Sequence, residues 1–395
     1  MSHSTPEVFD SRRSRKAHYV LARRVRQFPS RLWSRWLVRL LFSIPFLASA
    51  VVVHVFGEAI AGTPNDLLLD RVSEISWNRA DPTWLGQIYP PGSTLLASVV
   101  PGGRLGLALV GALAAGFFLQ KILEIMIQRK FHRSTAAILM VALAANPVFF
   151  YLATEDIASF LGLMFFGLAM SDMVRFVTWR DTRSGFRSGL LLMAATLVDL
   201  MAMVYVLAAL VTVPFVRSAR SEQRGARWSN ALVLIYPTAA ALTSLVALNL
   251  VFIGSPFGPA GESMGSEIFE RLVGVPEWLL SVDGRLAIAP VLAAWLVAII
   301  VGRWKSIPIS ALVFVSLVLG RVLGLEQESS VGTSFIMMTV LAMALIPTAR
   351  LLITNIFLDV VAISLIGIAW LIAYTNVYTL DWMTSLSEAV GALTG

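Results

Sequence analysis

The chain has 395 residues, of which 57% are hydrophobic and only 14% charged, with a formal net charge of +7. This composition excludes an ordinary soluble protein, and continuous apolar runs of about 20 residues exclude the alternating pattern of a membrane β-barrel. The absence of cysteine excludes disulfides and thiolate metal sites. The sequence therefore predicts an all-α polytopic membrane protein.

Residues 1–39 form a basic arm with ten Arg and Lys side chains, including those of "SRRSRK". A secretory signal would be shorter and would end in a cleavage site. We therefore predict an uncleaved cytoplasmic arm whose last part, with Trp33 and Trp36, is amphipathic and lies at the membrane interface.

Ten apolar segments follow the arm. They cover about 37–56, 105–126, 135–153, 157–177, 190–215, 231–253, 286–302, 308–323, 332–348 and 352–375. Segment 190–215 has four arginines before it and four after it, so a single crossing would place one cluster outside. Two short arms that meet near Asp199 keep both clusters inside. This arrangement predicts about 11 membrane segments, including a short helical hairpin.

The charge distribution orients these segments. With the hairpin, 25 of the 31 basic residues lie on the cytoplasmic side and 17 of the 24 acidic residues lie outside. The positive-inside rule then predicts a cytoplasmic N-terminus and an outside C-terminus. The basic character of the chain is explained by topology, so membrane lipids are expected partners and nucleic acid is not.

The first outer loop, 57–103, carries Asp66, Asp70 and Glu74 at helical spacing, so a helix would place them on one face. Three such carboxylates repel one another unless they meet water, a cation or a substrate. A solvated loop face explains them equally well. The second outer loop contains "SEIFERLVGVPEWLLSV", which predicts an interfacial amphipathic helix.

The first outer loop ends in "QIYPPGSTLL", residues 87–96. Its two prolines fix two φ angles and remove two backbone donors, and the glycine permits a turn. The elbow either sets how the chain enters the second membrane helix or is a plain Pro-Gly helix boundary.

An acidic residue soon after the first membrane helix, a helix-like stretch and then "YPPG" resemble the GT-C superfamily of membrane glycosyltransferases. "NPVFFYLATEDIASFLGLMFFGLAM" is similar to their third and fourth helices, and "FRSGLLLMAATLVDLMAMVYVLAALVTVPFV" to their short paired helices. The resemblance implies a GT-C-like transmembrane module at 40–255 with a catalytic loop at 57–103. Residues 256–395 would add the outer amphipathic loop and C-terminal transmembrane helices.

The resemblance implies inverting transfer of a sugar from a polyprenyl-phosphate donor to a glycan or glycolipid at the outer face of a bacterial plasma membrane. Asp66 is the implied general base and Asp70 the second choice. Asp70 stands where many members have an aromatic residue, and a large outer C-terminal domain is not evident. A non-catalytic GT-C-like subunit or a lipid-linked glycan transporter therefore stays open.

Arg321, near the outer end of a membrane helix, is the first candidate for the donor phosphate, and Arg271, Arg285 and Arg104 are weaker candidates. Snorkelling to the headgroups or pairing with Glu326 explains Arg321 equally well.

Tyr89, Glu155 and Asp156 are candidates for positioning the substrate. The two acids could also ligate Mg²⁺ or Mn²⁺ through oxygen, although loop solubility explains them as well. His54 is expected to be a packed interfacial histidine, and Asp199 to satisfy backbone donors at the hairpin tip.

Overall fold

The computed structural model describes residues 28–57, 60, 62–77, 88, 90–128, 130–179, 181–213, 226–252, 254–255, 267–300, 302, 307–325, 331–345 and 352–394. Every regular element within these residues is a helix, and none is a strand. The all-α prediction is therefore confirmed.

Sixteen helices follow one another along the described residues. In chain order they are α1 Leu32–Phe56, α2 Pro64–Glu74, α3 Pro91–Val99, α4 Gly103–Gln128, α5 Arg133–Ala144, α6 Pro147–Glu155, α7 Ile157–Trp179, α8 Thr182–Val198, α9 Ala202–Thr212, α10 Ala226–Phe252, α11 Ile268–Leu280, α12 Val282–Ile300, α13 Ile307–Val322, α14 Val331–Leu345, α15 Leu352–Thr375 and α16 Val377–Thr394.

Five of the described helices are long and apolar enough to cross a membrane, and a sixth crossing results if α5 and α6 form one bent span. The five are α1, α4, α10, α12 and α15. The chain is thus a multi-pass membrane protein, but the predicted count of about 11 segments is not confirmed. Other apolar segments form helices of 10–17 residues, such as α9 and α13. Most of these are too short to cross about 30 Å of hydrocarbon alone.

Two breaks interrupt the apolar segments. The predicted single span 135–153 is two helices, α5 and α6, bent by 49°. Pro147 begins α6 and disfavours the α conformation at Asn146, whose side chain accepts the N–H of Val148 at 2.9 Å. The break predicted near Asp199 is present, because α8 ends at Val198 and α9 begins three residues after Asp199.

A buried aromatic cluster joins α1, α4, α6 and α7. Phe46, Phe118, Phe149 and Phe160 are at most 1% exposed. The ring centroid of Phe149 lies 5.6 Å from that of Phe46 and 5.4 Å from that of Phe160, both edge to face. Close packing of this kind holds membrane helices together, because lipid provides little hydrophobic driving force between them.

This bundle has two distinct ends. We call the end with Gly57, Arg104 and Asp156 the loop end, and the opposite end, with Arg39 and Glu124, the arm end. The loop end contains the start of α4, the junction between α6 and α7, and the helix α2. The candidate site lies there.

Ion pairs join the helices at the arm end. The buried Glu124 carboxylate accepts a hydrogen bond from Lys121 at 3.2 Å and faces Arg175 at 3.7 Å. Asp172 pairs with both Arg175 and Arg187, at 3.2 Å each. Since these residues stand on α4, α7 and α8, one charged network links the three helices.

The predicted spans end at residue 375, but the chain continues as α16, which packs against α1, α6 and α15. Trp382 is 2% exposed, and its ring lies 6.2 Å from that of Phe150. The Ser385 hydroxyl lies against Gly57, where a Cβ would approach it to 2.9 Å. Polar residues interrupt the apolar residues of α16, so its hydropathy alone gave no membrane segment.

The structure also changes the predicted course of the first loop. The elbow was expected to lead into the second membrane helix, but Pro90 caps the separate nine-residue helix α3. The second membrane helix, α4, begins only at Gly103.

The two segments predicted to lie at the membrane interface are helical. Trp33 and Trp36 stand on the first turns of α1, which continues without a break into the first span, and they are 86% and 52% exposed. Helix α11 in the second loop buries none of its residues, and Phe269 is 76% exposed.

Candidate functional site

The first polar element of the loop end is the start of α2. The Thr63 hydroxyl accepts the N–H of Asp66 at 3.4 Å, and the Asp66 carboxylate accepts the N–H of Thr63 at 3.2 Å. Pro64 occupies the first helical position, where a missing N–H costs nothing. This reciprocal capping box fixes both the start of the helix and the position of the Asp66 side chain.

Asp66 forms an ion pair with Arg104, at the start of α4. The Asp66 side chain is 8% exposed and that of Arg104 is 36% exposed. Arg104 also donates to the carbonyl oxygen of Ile60 at 3.2 Å. One carboxylate oxygen of Asp66 therefore faces the guanidinium, and the other accepts the Thr63 N–H.

Asn65 ties α2 to the junction between α6 and α7. Its amide donates to the Thr154 carbonyl oxygen at 2.9 Å, and its side-chain oxygen accepts the N–H of Ile157 at 3.0 Å. Asn65 is 1% exposed. Two orphan groups of a helix break are satisfied by one side chain, so the first loop is held against that break.

The α6–α7 junction itself carries two buried acids. Glu155 Oε1 lies 3.7 Å from Nδ1 of His54, and the positive charge of Arg104 also acts on Glu155. Asp156 Oδ1 accepts the N–H of Ser159 at 3.1 Å and caps α7. Burial raises the pKa of the Asp156 carboxyl, while the hydrogen bonds from Ser159 oppose the rise.

The elbow rests on the hairpin break. A Cβ at Gly92 would lie 2.8 Å from Cγ2 of Val198 and 2.9 Å from the carbonyl oxygen of Leu197, so only glycine permits this approach. Asp199 follows directly, and its Oδ1 accepts the N–H of Met201 at 3.0 Å, as expected for a residue that satisfies backbone donors. Pro90 and Pro91 stand at the start of α3, as a Pro-Gly helix boundary predicts, and the Gly92 contact holds this boundary against the hairpin break.

The loop end brings together three of the predicted site residues, namely Asp66, Glu155 and Asp156. Asp70 stands one turn after Asp66 on α2, with an exposed side chain. Tyr89 lies outside the described residues.

Arg321 lies at the end of α13. Its guanidinium stands 4.7 Å from the ring centroid of Trp278 on α11, in a cation–π contact. The preceding Gly320 packs against Val204 of α9. Glu326, the alternative partner of Arg321, lies outside the described residues.

Arg271, the second predicted phosphate ligand, pairs with Glu267 at 3.3 Å on α11. The basic side chain that pairs with Asp66 is instead Arg104, a weaker candidate by sequence. The sequence pointed to Arg104 only through its position, because it is one of six basic residues on the predicted outer side, which carries most of the acidic residues. Asn65 gave no signal, since its partners on α6 and α7 are distant in the chain.

The described residues include no group of three or more His, Asp or Glu side chains placed to hold a metal ion. Glu155 and Asp156, which could ligate Mg²⁺ or Mn²⁺, thus belong to no larger group of metal ligands within the described residues.

The site combines a carboxylate that can accept a proton with a guanidinium that can bind an anion, both held at the ends of apolar helices. Comparison with models of protein families, with curated proteins and with solved structures found no match. The function must therefore be inferred from the chemistry of the loop end.

Proposed function

We propose that the protein is a GT-C-like membrane glycosyltransferase that transfers a sugar from a polyprenyl-phosphate donor to a glycan or glycolipid. The juxtaposition of Asp66 and Arg104 beside the α6–α7 junction carries this proposal. A base for the acceptor and a cation for the leaving phosphate are the two groups that such a transfer needs.

In the proposed reaction, the acceptor hydroxyl oxygen attacks the anomeric carbon of the donor sugar. The bond from that carbon to the phosphate oxygen breaks, and the polyprenyl phosphate leaves with the electron pair. The hydroxyl proton passes to the Asp66 carboxylate. A single displacement of this kind inverts the anomeric configuration.

The ion pair between Asp66 and Arg104 must open for this reaction. An arriving phosphate competes for Arg104, because a guanidinium binds phosphate and carboxylate with the same fork of donors. Movement of Arg104 to the phosphate frees one Asp66 oxygen to accept the proton. Binding of the donor thereby activates the base.

The other predicted residues have supporting roles. Asp70 positions the acceptor, and Tyr89, Glu155 and Asp156 position the substrates. The positive charges of Arg321 and Arg271 attract the negatively charged phosphate of the carrier to the membrane surface. The resemblance implies a bacterial plasma membrane, and the charge distribution supports a cytoplasmic N-terminus, an outside C-terminus and a site on the outer face. Membrane lipids surround the protein, and nucleic acid is not a partner.

A second candidate function is a non-catalytic GT-C-like subunit or a lipid-linked glycan transporter. The observation that favours it is the state of Asp66, whose two oxygens are both engaged, by Arg104 and by the Thr63 N–H. In that case Arg104 binds the lipid-linked phosphate, and the Asp66 carboxylate pairs with Arg104 again once the phosphate has left.

A transfer assay decides between these functions. Purified protein in liposomes is given undecaprenyl phosphate carrying labelled mannose, glucose, galactose or arabinose, together with lipid extract as acceptor. The enzyme releases free undecaprenyl phosphate and labels the acceptor, and the Asp70→Asn protein retains part of this activity. Binding of the donors without transfer by any of them supports the second function.

A further inference from the structure

Apart from Glu155 Oε1, which faces His54, three oxygen atoms near the α6–α7 junction and the hairpin break are buried and have no hydrogen-bond partner among the described residues. They are Oδ2 of Asp156, Oδ2 of Asp199 and the hydroxyl of Tyr151. These residues are 2%, 7% and 1% exposed. Buried polar atoms in proteins are nearly always paired, so three open ones in one region call for a ligand.

The two aspartates lie at the first turns of α7, and Tyr151 precedes them on α6. Asp199 packs against Gly162, where a Cβ would lie 3.2 Å from Asp199 Oδ2. The charge of Asp156 acts on both Asp199 and Tyr151. The absent side chain at Gly162 therefore leaves room for the hairpin carboxyl beside the α6–α7 junction.

Helix capping uses only one of the two side-chain oxygens of each aspartate. Asp156 and Asp199 each use Oδ1 for a backbone N–H. Asp181, which caps the other end of α8, uses both oxygens: Oδ1 accepts the N–H of Arg183 at 3.2 Å, and Oδ2 accepts the Ser184 hydroxyl at 2.6 Å. A capping aspartate in this chain can thus have partners for both oxygens. Asp156 and Asp199 each have one oxygen without a partner among the described residues.

We propose that Asp199 and Asp156 bind hydroxyl groups of the donor's sugar ring and thereby select the sugar. This inference rests on the proposed function and assigns to the hairpin a substrate-binding residue. Neighbouring ring hydroxyls can each donate to a carboxylate oxygen, and the Tyr151 hydroxyl can donate or accept. The two aspartate oxygens have no other hydrogen-bond partner among the described residues, so the loss of a hydrogen bond to the sugar is measurable.

The test compares binding of two probes to the intact protein in nanodiscs. One probe is bare undecaprenyl phosphate, and the other is undecaprenyl phosphate carrying mannose, glucose, galactose or arabinose. Asp199→Asn is the main variant, because asparagine caps a helix as well as aspartate does. Asp156→Asn is the second variant, and Asp181→Asn is the matched control at the other end of α8.

We expect wild-type protein to bind at least one sugar-loaded carrier more tightly than the bare carrier. Asp199→Asn and Asp156→Asn should weaken binding of that loaded carrier about tenfold while leaving the bare carrier within about twofold, and Asp181→Asn should change neither. If Asp199→Asn fails to fold, Asp156→Asn gives the same comparison.

The inference is overturned if both variants keep the wild-type preference, if bare and loaded carriers bind the wild type equally, or if preference depends on added Mn²⁺. A wild-type protein that binds no carrier at all overturns the proposed function as well. If the wild type binds the carrier and transfers the sugar, but neither Asp199→Asn nor Asp156→Asn changes the binding, only the sugar-binding role of the two aspartates is overturned.

Discussion

Arg104 pairs with Asp66 across the gap between the first-loop helix and the second membrane helix. Asn65, the neighbour of Asp66, binds the α6–α7 junction from the other side. The first loop is therefore fixed at both residues, and its acid cannot move far without disturbing the bundle. This arrangement provides the preorganisation that a transfer site requires.

Arg104 should be the strongest phosphate ligand of the site. We expect Arg104→Met to raise the KM for the donor about tenfold or more, because the charge on the leaving phosphate loses its partner. Arg104→Lys should have a smaller effect, since it keeps the charge but loses the planar fork. Steady-state kinetics with a labelled donor measures both, with the exposed Arg133→Met as control. An unchanged KM in Arg104→Met would remove Arg104 from the phosphate site.

Asn65 should stabilise the fold through its two hydrogen bonds. Asn65→Ala leaves the Thr154 carbonyl and the Ile157 N–H buried without partners, which should lower the free energy of unfolding by about 2–4 kcal/mol. Denaturant unfolding in detergent measures this change. Ser73→Ala, at an exposed position of the same helix, should stay within about 0.5 kcal/mol. Equal stability of both variants would show that the anchor contributes nothing.

Labelling of single cysteines tests the topology, since the chain has none of its own. Ser387→Cys is exposed on α16 and should react with an impermeant reagent added to intact cells. Thr182→Cys, exposed at the start of α8, should react only after the membrane is permeabilised. Labelling of Thr182→Cys from outside would contradict the predicted orientation. Failure of Ser387→Cys to react from outside would contradict the hairpin, because a single crossing at 190–215 would move Ser387 to the cytoplasmic side.

Arg321 allows a test of its predicted phosphate role against its contact with Trp278. Arg321→Met should reduce kcat/KM for the donor about tenfold or more, and Arg321→Lys should reduce it less. Trp278→Phe retains a ring for the cation and serves as control. Normal activity of Arg321→Met in a protein that still inserts would return Arg321 to a headgroup-binding role.

Sequence pattern predicted the helical membrane fold and the break at Asp199, because apolar runs and flanking arginines are local signals. It missed the bend at Asn146 although Asn-Pro is a recognised breaker, since the apolar run continues through it. It could not identify Asn65 or rank Arg104 first. Their partners are brought near by tertiary packing, which no local pattern encodes. Helix α16 was missed because only part of its surface is apolar.

The central claim is that Asp66 is the base of a sugar transfer. Asparagine keeps the size of aspartate and an oxygen that can accept the N–H of Thr63, but it does not accept a proton at neutral pH. Since a general base contributes about 10²–10⁴ in rate, Asp66→Asn should lose nearly all of the transfer step. Asp70→Asn, one turn away on the exposed side of α2, is the matched control and should lose much less.

The most direct measurement is single-turnover transfer from a labelled donor that is already bound to the protein. We expect a loss of about 100-fold or more for Asp66→Asn. Donor binding should be at least as tight as in the wild type, because the phosphate no longer competes with the Asp66 carboxylate for Arg104. Transfer by Asp66→Asn at the wild-type rate would contradict this expectation. A dead Asp70→Asn beside an active Asp66→Asn would move the base by one helical turn and contradict the assignment to Asp66.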